Sequence, residues 1–173
     1  MSGRNKDRVF LSLGGNLGDP GKAMGEALRL LDSDSDTKVI TVSSLYRTPP
    51  WGKLDQPDFL NAAAEVLTGK APRAFLDLCL DAERRLKRER NERWGPRLID
   101  IDILLFGDWR VSETGLEIPH PRMTERAFVM VPLAEIAPDL EIDGKRISDR
   151  LKVVDRSGIK RVAGGKNWWK ATF

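Results

Sequence analysis

The strongest constraint on this chain is a short apolar segment, residues 98–106, that carries two aspartates. The segment is rich in isoleucine and leucine and is followed by a Gly-Asp pair, which is typical of a buried strand that ends in a turn. Side chains alternate across a strand, so Asp100 and Asp102 share one face. The same alternation puts Leu104 and Phe106 on that face, which we therefore expect to be largely apolar.

The spacing of the two aspartates predicts a metal site. Two residues of strand rise separate the backbones of Asp100 and Asp102 by roughly 6.6 Å. Carboxylates at this spacing can converge on one hard cation, or bracket two cations about 3.5–4 Å apart. The alternative is a solvated polar face. We favour metal ligands, because two carboxylates on an apolar face would repel each other and lose hydration unless a cation met them.

A cationic stretch precedes the aspartates. Arg93-Trp94-Gly95-Pro96-Arg97 places two guanidiniums around a turn, and Arg88 and Arg90 add two more positive charges upstream. Arginine suits phosphate because its planar fork binds two oxygens at once. We interpret the cations within residues 84–87 as a solvated helix end. For Arg97 we predict phosphate binding, since it lies three residues before the acidic pair.

Two further polar residues leave alternatives open. Glu83 lies at the edge of a helical apolar stripe, where it can point inward to a ligand or pair with Lys87 at i+4 on the surface. From the spacing alone we favour the surface pair. His120, the single histidine, stands between two prolines and close to Arg122 and Arg126. It is either a structural residue or a phosphate contact.

Thr48-Pro49-Pro50-Trp51 and Phe59-Leu60-Asn61 frame one loop. An aromatic ring, a hydroxyl and an amide that can both donate and accept hydrogen bonds could together clamp a flat heterocycle. Phe128 is a possible stacking partner for such a ring. Core packing explains Phe59 and Phe128 equally well. The glycine-rich turn at residues 14–18 matches neither the phosphate-binding loop nor the dinucleotide fingerprint.

The order of apolar patterns predicts an α+β fold. We expect strands over residues 9–13, 38–46, 59–67 and 98–106, helices that begin near Pro20 and Pro72, and a short helical turn at Thr124. These elements suggest one antiparallel-rich sheet with helices on one face. We expect a disordered leader at 1–8, a single domain over 9–152, and a basic C-terminal tail of unknown role at 153–173.

Length and composition narrow the class of protein. A chain of 173 residues has room for one domain with a real core. The single cysteine, Cys79, fits a reducing compartment, and no apolar run reaches the length of a membrane span. We therefore expect a cytoplasmic protein. The net charge of +3 does not by itself distinguish a polyphosphate substrate from nucleic acid.

Taken together, these segments resemble the 6-hydroxymethyl-7,8-dihydropterin pyrophosphokinase family of the folate pathway. The resemblance runs in order from about Val9 to Leu140, and its most specific part is residues 93–107, from Arg93-Trp94-Gly95-Pro96-Arg97 through the two aspartates. The other matching segments are residues 13–18, 42–50, 56–62, 119–121 and 126–138. Two positions depart from the family pattern: Gly15 replaces a usual serine, and Lys87 replaces a usual glycine at the helix end.

The resemblance implies a ferredoxin-like α/β sandwich, with a mostly antiparallel sheet and helices packed on it. It implies two Mg²⁺ ions held by Asp100 and Asp102, with ATP as co-substrate. The implied catalytic residues are Arg88, Arg90, Arg97, Asp100 and Asp102. The implied ATP-binding residues are Glu83, Arg88, Trp94, Arg97, Ile103, His120 and Arg126, so Glu83 becomes a nucleotide-side contact. The implied pterin-binding residues are Thr48, Pro49, Trp51, Phe59, Asn61, Trp94 and Phe128, with the two phenylalanine rings sandwiching the heterocycle.

The expected activity is transfer of diphosphate from ATP to 6-hydroxymethyl-7,8-dihydropterin by a monomer that binds neither nucleic acid nor membrane. Three alternatives remain open at this stage. One is a nucleic-acid-binding module that uses Arg93, Trp94 and the tryptophan-bearing tail, although it leaves the two aspartates unexplained. Another is an ordinary kinase that releases ADP. The third is a pterin-binding homologue that has lost turnover.

Overall fold

The computed structural model describes residues 5–50, 55–88, 99–162 and 164–170, and Arg88 by its backbone. In these ranges the elements are β1 (Asp7–Gly15), α1 (Pro20–Asp32), β2 (Thr37–Val42), β3 (Tyr46–Thr48), β4 (Phe59–Thr68), α2 (Pro72–Arg88), β5 (Asp100–Phe106), β6 (Val111–Glu113), β7 (Leu116–Ile118), α3 (Ala127–Ile136), β8 (Glu141–Ile142), β9 (Lys145–Arg146), α4 (Ile147–Arg150) and β10 (Lys160–Arg161). Short 3-10 turns lie at Met123–Glu125 and Trp168–Lys170.

Six strands in the described ranges form one antiparallel sheet. Its order is β10-β3-β4-β1-β5, and β2 pairs with β4 beyond the end of β3. Within the described residues, β5 is therefore an edge strand, and β1 lies between it and β4. The predicted α+β class, with a mostly antiparallel sheet and helices packed on it, is confirmed.

One face of the sheet carries the larger apolar core. Val9, Leu11 and Leu13 alternate along β1 and are fully buried with side chains of α1 and α2. The predicted helical stripe of α2 is part of this core, since Phe75 and Cys79 are also fully buried. At the start of α1, the side chain of Asp19 accepts a hydrogen bond from the Lys22 amide at 3.1 Å, which caps the helix.

Helix α3 packs on the opposite face, so the prediction that helices cover one face is wrong. Phe10 of β1, Ala63 of β4 and Leu104 of β5 form a second buried cluster with Met130 and Leu133 of α3. The physical reason is the composition of α3, which is apolar around most of its circumference and so covers the sheet side that α1 and α2 leave open.

A β-bulge in β5 changes which side chains accompany the aspartates. Phe10 pairs with Leu105, whereas the next residue of β1, Leu11, pairs with Ile103, so the register shifts by one residue. Leu104 consequently lies in the α3 cluster, while Phe106 lies in the larger core. The prediction that Phe106 shares the face of the aspartates is therefore wrong.

The predicted strand over residues 38–46 is interrupted. Ser43 breaks it because the hydroxyl group takes over part of the pairing: it accepts from the Ala63 amide at 2.9 Å and donates to the Ser44 carbonyl at 2.8 Å. Two strands result, β2 and β3. The hairpin of β6 and β7, which no apolar pattern predicted, follows β5.

The carboxylate of Glu135 in α3 joins this helix to the break between β2 and β3. It accepts hydrogen bonds from the amide and the hydroxyl of Ser44, each at 3.0 Å, and from the hydroxyl of Tyr46 at 2.7 Å. The side chain of Lys166 approaches the same carboxylate at 3.7 Å. This buried polar cluster fixes α3 against β3.

Residues near both ends of the described chain take part in the fold. Asp7 and Arg8, which we assigned to a leader, belong to β1 because they pair with Thr68 and Leu67 of β4. Near the other end, Trp169 is buried in the larger core, and the indole N–H of Trp168 donates to the Ser43 carbonyl at 2.8 Å. Both indoles are thus engaged in the fold, which argues against their use as stacking platforms for nucleic acid.

The described helices are too short or too polar to cross a membrane.

Candidate active site

The aspartates of β5 lie on the sheet face that α3 covers in part. Residues that pair directly in antiparallel strands present their side chains to the same face. Asp100 pairs with Gly14 of β1, and Gly14 pairs with Asn61 of β4. Asn61 in turn pairs with Tyr46 of β3. One row across the sheet therefore joins Asp100 to Asn61, with only a glycine between them.

Asp102 stands one row further along the same face, opposite Ser12. It is exposed, whereas Asp100 is half-buried. Neighbouring carboxylates on one face concentrate negative charge, and this charge is felt at Glu83 and His120, as described below. The arrangement is suited to a divalent cation.

Glu83 of α2 faces β5 rather than the surface alone. Its Oε2 atom accepts a hydrogen bond from the Ile101 amide at 2.9 Å, and its Oε1 atom lies 3.6 Å from Lys87 Nζ. Burial raises the pKa of the Glu83 carboxyl group, and the charges of Asp100 and Asp102 raise it further. The carboxylate thus points inward to the backbone of β5 and also pairs with Lys87, the partner that the spacing predicted.

A cavity of about 300 Å³ opens beside Asp102, between α2, β5 and the β6–β7 hairpin. Its walls include Ile103 and His120, both predicted to contact nucleotide. Leu76 of α2 and Glu117 of β7 also line it and were missed from the sequence. The apolar-polar-apolar order of Leu116, Glu117 and Ile118 could have predicted a short strand with Glu117 on its polar face. Leu76 could not have been predicted, because its position in the sequence is typical of a core leucine.

His120 lines this cavity and is held in place by two hydrogen bonds. Its backbone N–H donates to the Leu104 carbonyl at 2.9 Å, and its Nδ1 atom accepts from the Arg122 amide at 3.2 Å. Burial lowers the pKa of His120, the charge of Arg126 lowers it further, and Asp102 opposes both. A neutral ring whose Nδ1 accepts carries its proton on Nε2, which is then a hydrogen-bond donor.

Asn61 and Thr48 form a buried polar pair on the other side of Gly14. The Nδ2 atom of Asn61 donates to Thr48 Oγ1 at 2.8 Å, and both residues are less than 7% exposed. A Cβ atom on Gly14 would stand 2.7 Å from Asn61 Oδ1. Gly14 is thus the gap that the Asn61 amide fills, a role that the sequence did not reveal.

The aromatic residues predicted to sandwich a heterocycle are both half-buried. Phe59 begins β4 and pairs with Thr48 of β3. Phe128 lies in the first turn of α3, and the guanidinium of Arg126 lies 5.8 Å from the centre of its ring. Phe59 and Asn61 lie two residues apart in β4 and so share a face, and α3, which carries Phe128, packs on that face.

Several predicted site residues fall outside the described ranges. These are Trp51, Arg90, Trp94 and Arg97. Arg88 is the last residue of α2. Their predicted roles rest on the sequence alone.

Asp100 and Asp102 form a donor set that suits Mg²⁺ together with phosphate oxygens and waters. Among the described residues, no group of three or more histidine, cysteine, aspartate or glutamate side chains is arranged to hold a metal ion by itself. Mg²⁺ is commonly bound by one or two carboxylates, with phosphate oxygens and waters completing the coordination. The exposed Asp102 and the half-buried Asp100 fit this mode of coordination.

Comparison with known proteins decides the family. The sequence profile of 7,8-dihydro-6-hydroxymethylpterin-pyrophosphokinase (HPPK) matches residues 10–138. The chain belongs to the HPPK family. It is 47% identical over 155 residues to the 2-amino-4-hydroxy-6-hydroxymethyldihydropteridine pyrophosphokinase of Methylorubrum extorquens, a match that covers 90% of this chain and 98% of the relative. The enzyme of the same name from Pseudomonas aeruginosa is 40% identical over 91% of this chain and 98% of its own. The resemblance inferred from sequence is confirmed.

Solved structures of HPPK-DHPS proteins share the fold. One, determined in complex with substrates, superposes with a TM-score of 0.75 at 14% identity and covers 91% of this chain. The Plasmodium falciparum HPPK-DHPS A437G structure gives a TM-score of 0.72 at 18% identity and covers 92% of this chain. This HPPK chain spans only 48% and 50% of those longer chains.

Proposed function

We propose that this HPPK-family chain transfers diphosphate from ATP to 6-hydroxymethyl-7,8-dihydropterin in folate biosynthesis. The observation that carries the proposal is the row from Asn61 through Gly14 to Asp100. It places an acidic pair between two different candidate binding regions on one sheet. The cavity of about 300 Å³ beside Asp102 is the nucleotide side. The Asn61–Thr48 pair is the pterin side.

The reaction that fits this layout is an in-line displacement at the β-phosphorus of ATP. The hydroxymethyl oxygen of the pterin forms a bond to that phosphorus, and the bond from the β-phosphorus to the oxygen bridging it to the α-phosphorus breaks. AMP leaves, and the hydroxyl proton passes to solvent. The products are AMP and the pterin diphosphate.

On the nucleotide side, the Nε2–H group of His120 is available as a donor to a phosphate oxygen because Nδ1 already accepts from Arg122. Arg126 supplies fixed positive charge beside it. We assign the same role, a fixed positive charge, to Arg88, Arg90 and Arg97. These residues would stabilise the negative charge that spreads over the transferring group in the transition state.

Asp100 and Asp102 are the residues that would hold Mg²⁺. When bound, the metal supplies charge neutralisation for the triphosphate. Glu83 acts one step away: by binding the Ile101 amide it fixes the strand between the two carboxylates. Burial is the main reason that the pKa of Glu83 is raised. The charges of the two aspartates, which a cation would offset, raise it further.

On the pterin side, the Asn61 amide offers donor and acceptor groups suited to the edge of a pterin ring. Thr48 orients that amide through the hydrogen bond at 2.8 Å. Phe59 and Phe128 supply ring faces for stacking. Pro49, Trp51 and Trp94 complete the proposed pterin site.

None of the described side chains is an evident general base for the pterin hydroxyl group. Alignment of two bound reactants can lower the activation barrier by roughly 7–11 kcal/mol. A general base typically accelerates a reaction about 10²–10⁴-fold, which corresponds to a smaller reduction of the barrier. We therefore propose that positioning and charge stabilisation account for catalysis. We also propose that the enzyme works as a cytoplasmic monomer.

Nucleotide product analysis tests the proposal. Purified protein is incubated with ATP, Mg²⁺ and 6-hydroxymethyl-7,8-dihydropterin, and adenine nucleotides are separated over time. The proposal expects AMP, formed only when metal and pterin are both present. Formation of ADP would mean an ordinary kinase. Pterin binding without turnover would mean a homologue that has lost activity.

A further inference from the structure

The C-terminal segment, residues 155–162, extends the sheet beyond the region that the family profile matches. Lys160 and Arg161 of β10 pair with Arg47 and Tyr46 of β3, and the Val162 amide donates to the Leu45 carbonyl at 2.8 Å. The family match ends at residue 138. Strand β3, which leads directly into the proposed pterin loop, therefore has an outer neighbour that comes from the far end of the chain.

The same segment touches the pterin loop itself. Gly158 adopts a left-handed backbone with φ of +81°. A Cβ atom on Gly158 would stand 3.1 Å from Cγ and 3.3 Å from Cδ of Pro49. A methyl group at Gly158 would thus crowd the proline ring, which would have to shift by a few tenths of an ångström to admit it.

Residues 164–170 anchor the segment to the body of the fold. Trp169 is buried in the larger core, and its carbonyl accepts a hydrogen bond from Arg29 of α1 at 2.6 Å. Trp168 donates to Ser43, just before β3. Residues 164–170, which follow the segment, are therefore anchored to the core and to the chain just before β3.

We propose that residues 155–162 form a brace that positions the pterin side of the site, with Gly158 as the positioning residue. The brace fixes Pro49 by direct contact. It fixes Thr48 through β3, and Thr48 fixes the Asn61 amide at 2.8 Å. The inference rests on the proposed function, because it assumes that Pro49, Thr48 and Asn61 face the pterin.

The test compares two glycines with similar backbone geometry. Gly158→Ala places a methyl group against Pro49, whereas Gly165→Ala, at φ of +72°, meets nothing within 4 Å. Both variants carry the same kind of backbone strain, so their difference reports the contact. For Gly158→Ala we expect the KM for pterin to rise at least about fivefold, since small displacements of a positioned group are costly. The KM for ATP stays within about twofold in both variants.

Two outcomes would overturn the brace. Either the two variants raise the KM for pterin equally, or Gly158→Ala raises the KM values for pterin and ATP by the same factor. If Gly158→Ala does not fold, Gly158→Asn and Gly165→Asn replace the pair, because asparagine tolerates the left-handed backbone and still carries a Cβ atom.

A second readout separates this inference from the proposed function. Wild-type protein that neither binds nor turns over pterin would refute the function. In that case the amide NMR shifts of Arg47 and Thr48 still test the brace. They change in the Gly158 variant and not in the Gly165 variant if the brace exists, and unchanged shifts in both variants contradict it.

Discussion

The Oε2 atom of Glu83 accepts a hydrogen bond from the backbone N–H of Ile101 at 2.9 Å. This contact ties helix α2 to the one residue that separates Asp100 from Asp102. Ile101 lies in an edge strand of the described sheet, where an outward amide has no further strand to pair with. The buried Glu83 carboxylate thus accepts the hydrogen bond that a neighbouring strand would otherwise accept, and it holds the residue between the two aspartates in place.

Loss of the Glu83 acceptor should destabilise the protein. Glu83→Ala leaves the Ile101 amide buried without a partner, which costs about 1–3 kcal/mol in the free energy of unfolding. Glu83→Gln keeps an acceptor oxygen at nearly the same place and should lose clearly less. Urea unfolding at pH 7 measures both variants. Equal losses for alanine and glutamine would show that the hydrogen bond to Ile101 contributes little.

Removal of either aspartate charge should abolish most turnover without unfolding the protein. We expect Asp100→Asn and Asp102→Asn to lower kcat at least about 100-fold, because a metal site supplies several kcal/mol of transition-state stabilisation. The measurement is the rate of AMP formation across a Mg²⁺ titration. Asp108→Asn, an exposed carboxylate just after β5, is the matched control and should keep wild-type activity. Near-normal rates in saturating Mg²⁺ for either site variant would contradict the metal assignment.

A side chain at Gly14 should damage pterin binding selectively. In Gly14→Ala the new methyl group stands 2.7 Å from Asn61 Oδ1, closer than real Cβ contacts allow, so the amide must move. We expect the KM for pterin to rise about tenfold or more, in line with the cost of misplacing a binding group. Gly69→Ala, where the added atom meets nothing within 4 Å, serves as the control. The interpretation fails if Gly14→Ala raises the KM for ATP as much as that for pterin.

The Glu135 cluster should make stability depend on pH in the acid range. Burial alone would raise the pKa of Glu135, but hydrogen bonds from Tyr46 and Ser44 outweigh burial, and the folded pKa lies below the ordinary value of 4.5. The folded state therefore prefers the ionised form, and its stabilisation is present above about pH 4.5. It is lost as the pH falls through the folded pKa, because the unfolded chain takes up the proton first.

Glu135→Gln isolates this contribution. At pH 7 the variant should lose about 1.5–3 kcal/mol, the usual range for hydrogen bonds to a charged group. The difference between wild type and variant should shrink steadily below pH 4.5. Unfolding free energies measured from pH 3 to pH 8 provide the check. A difference that stays constant over this range would rule out a depressed pKa for Glu135.

Much of the sheet face could be predicted from the sequence because alternation is a local property. Two aspartates two residues apart on a strand must share a face, and the structure places Asp100 and Asp102 accordingly. The bulge at Leu104 could not be predicted, because it depends on how β5 meets β1. Its effect is to move Phe106 to the other face.

The residues that hold the site in place come from distant parts of the chain. Glu83 lies 18 positions before the amide that it binds, and its spacing from Lys87 suggested a surface pair instead. Gly14 is important because the Asn61 side chain of the neighbouring strand β4 fills the space beside it. Gly158 is important because it contacts Pro49, which lies more than 100 positions earlier in the sequence. Such contacts follow from tertiary packing, which no local pattern reports.

The position of the broken phosphate bond distinguishes transfer of diphosphate from transfer of a single phosphate. Wild-type protein is given ATP labelled with radioactive phosphorus at the β-position, together with Mg²⁺ and 6-hydroxymethyl-7,8-dihydropterin, and the pterin product is isolated. Diphosphate transfer predicts that the label moves to the pterin and that the nucleotide product, AMP, is unlabelled. A pterin product without label, with the label retained in ADP, would show transfer of a single phosphate and contradict the account.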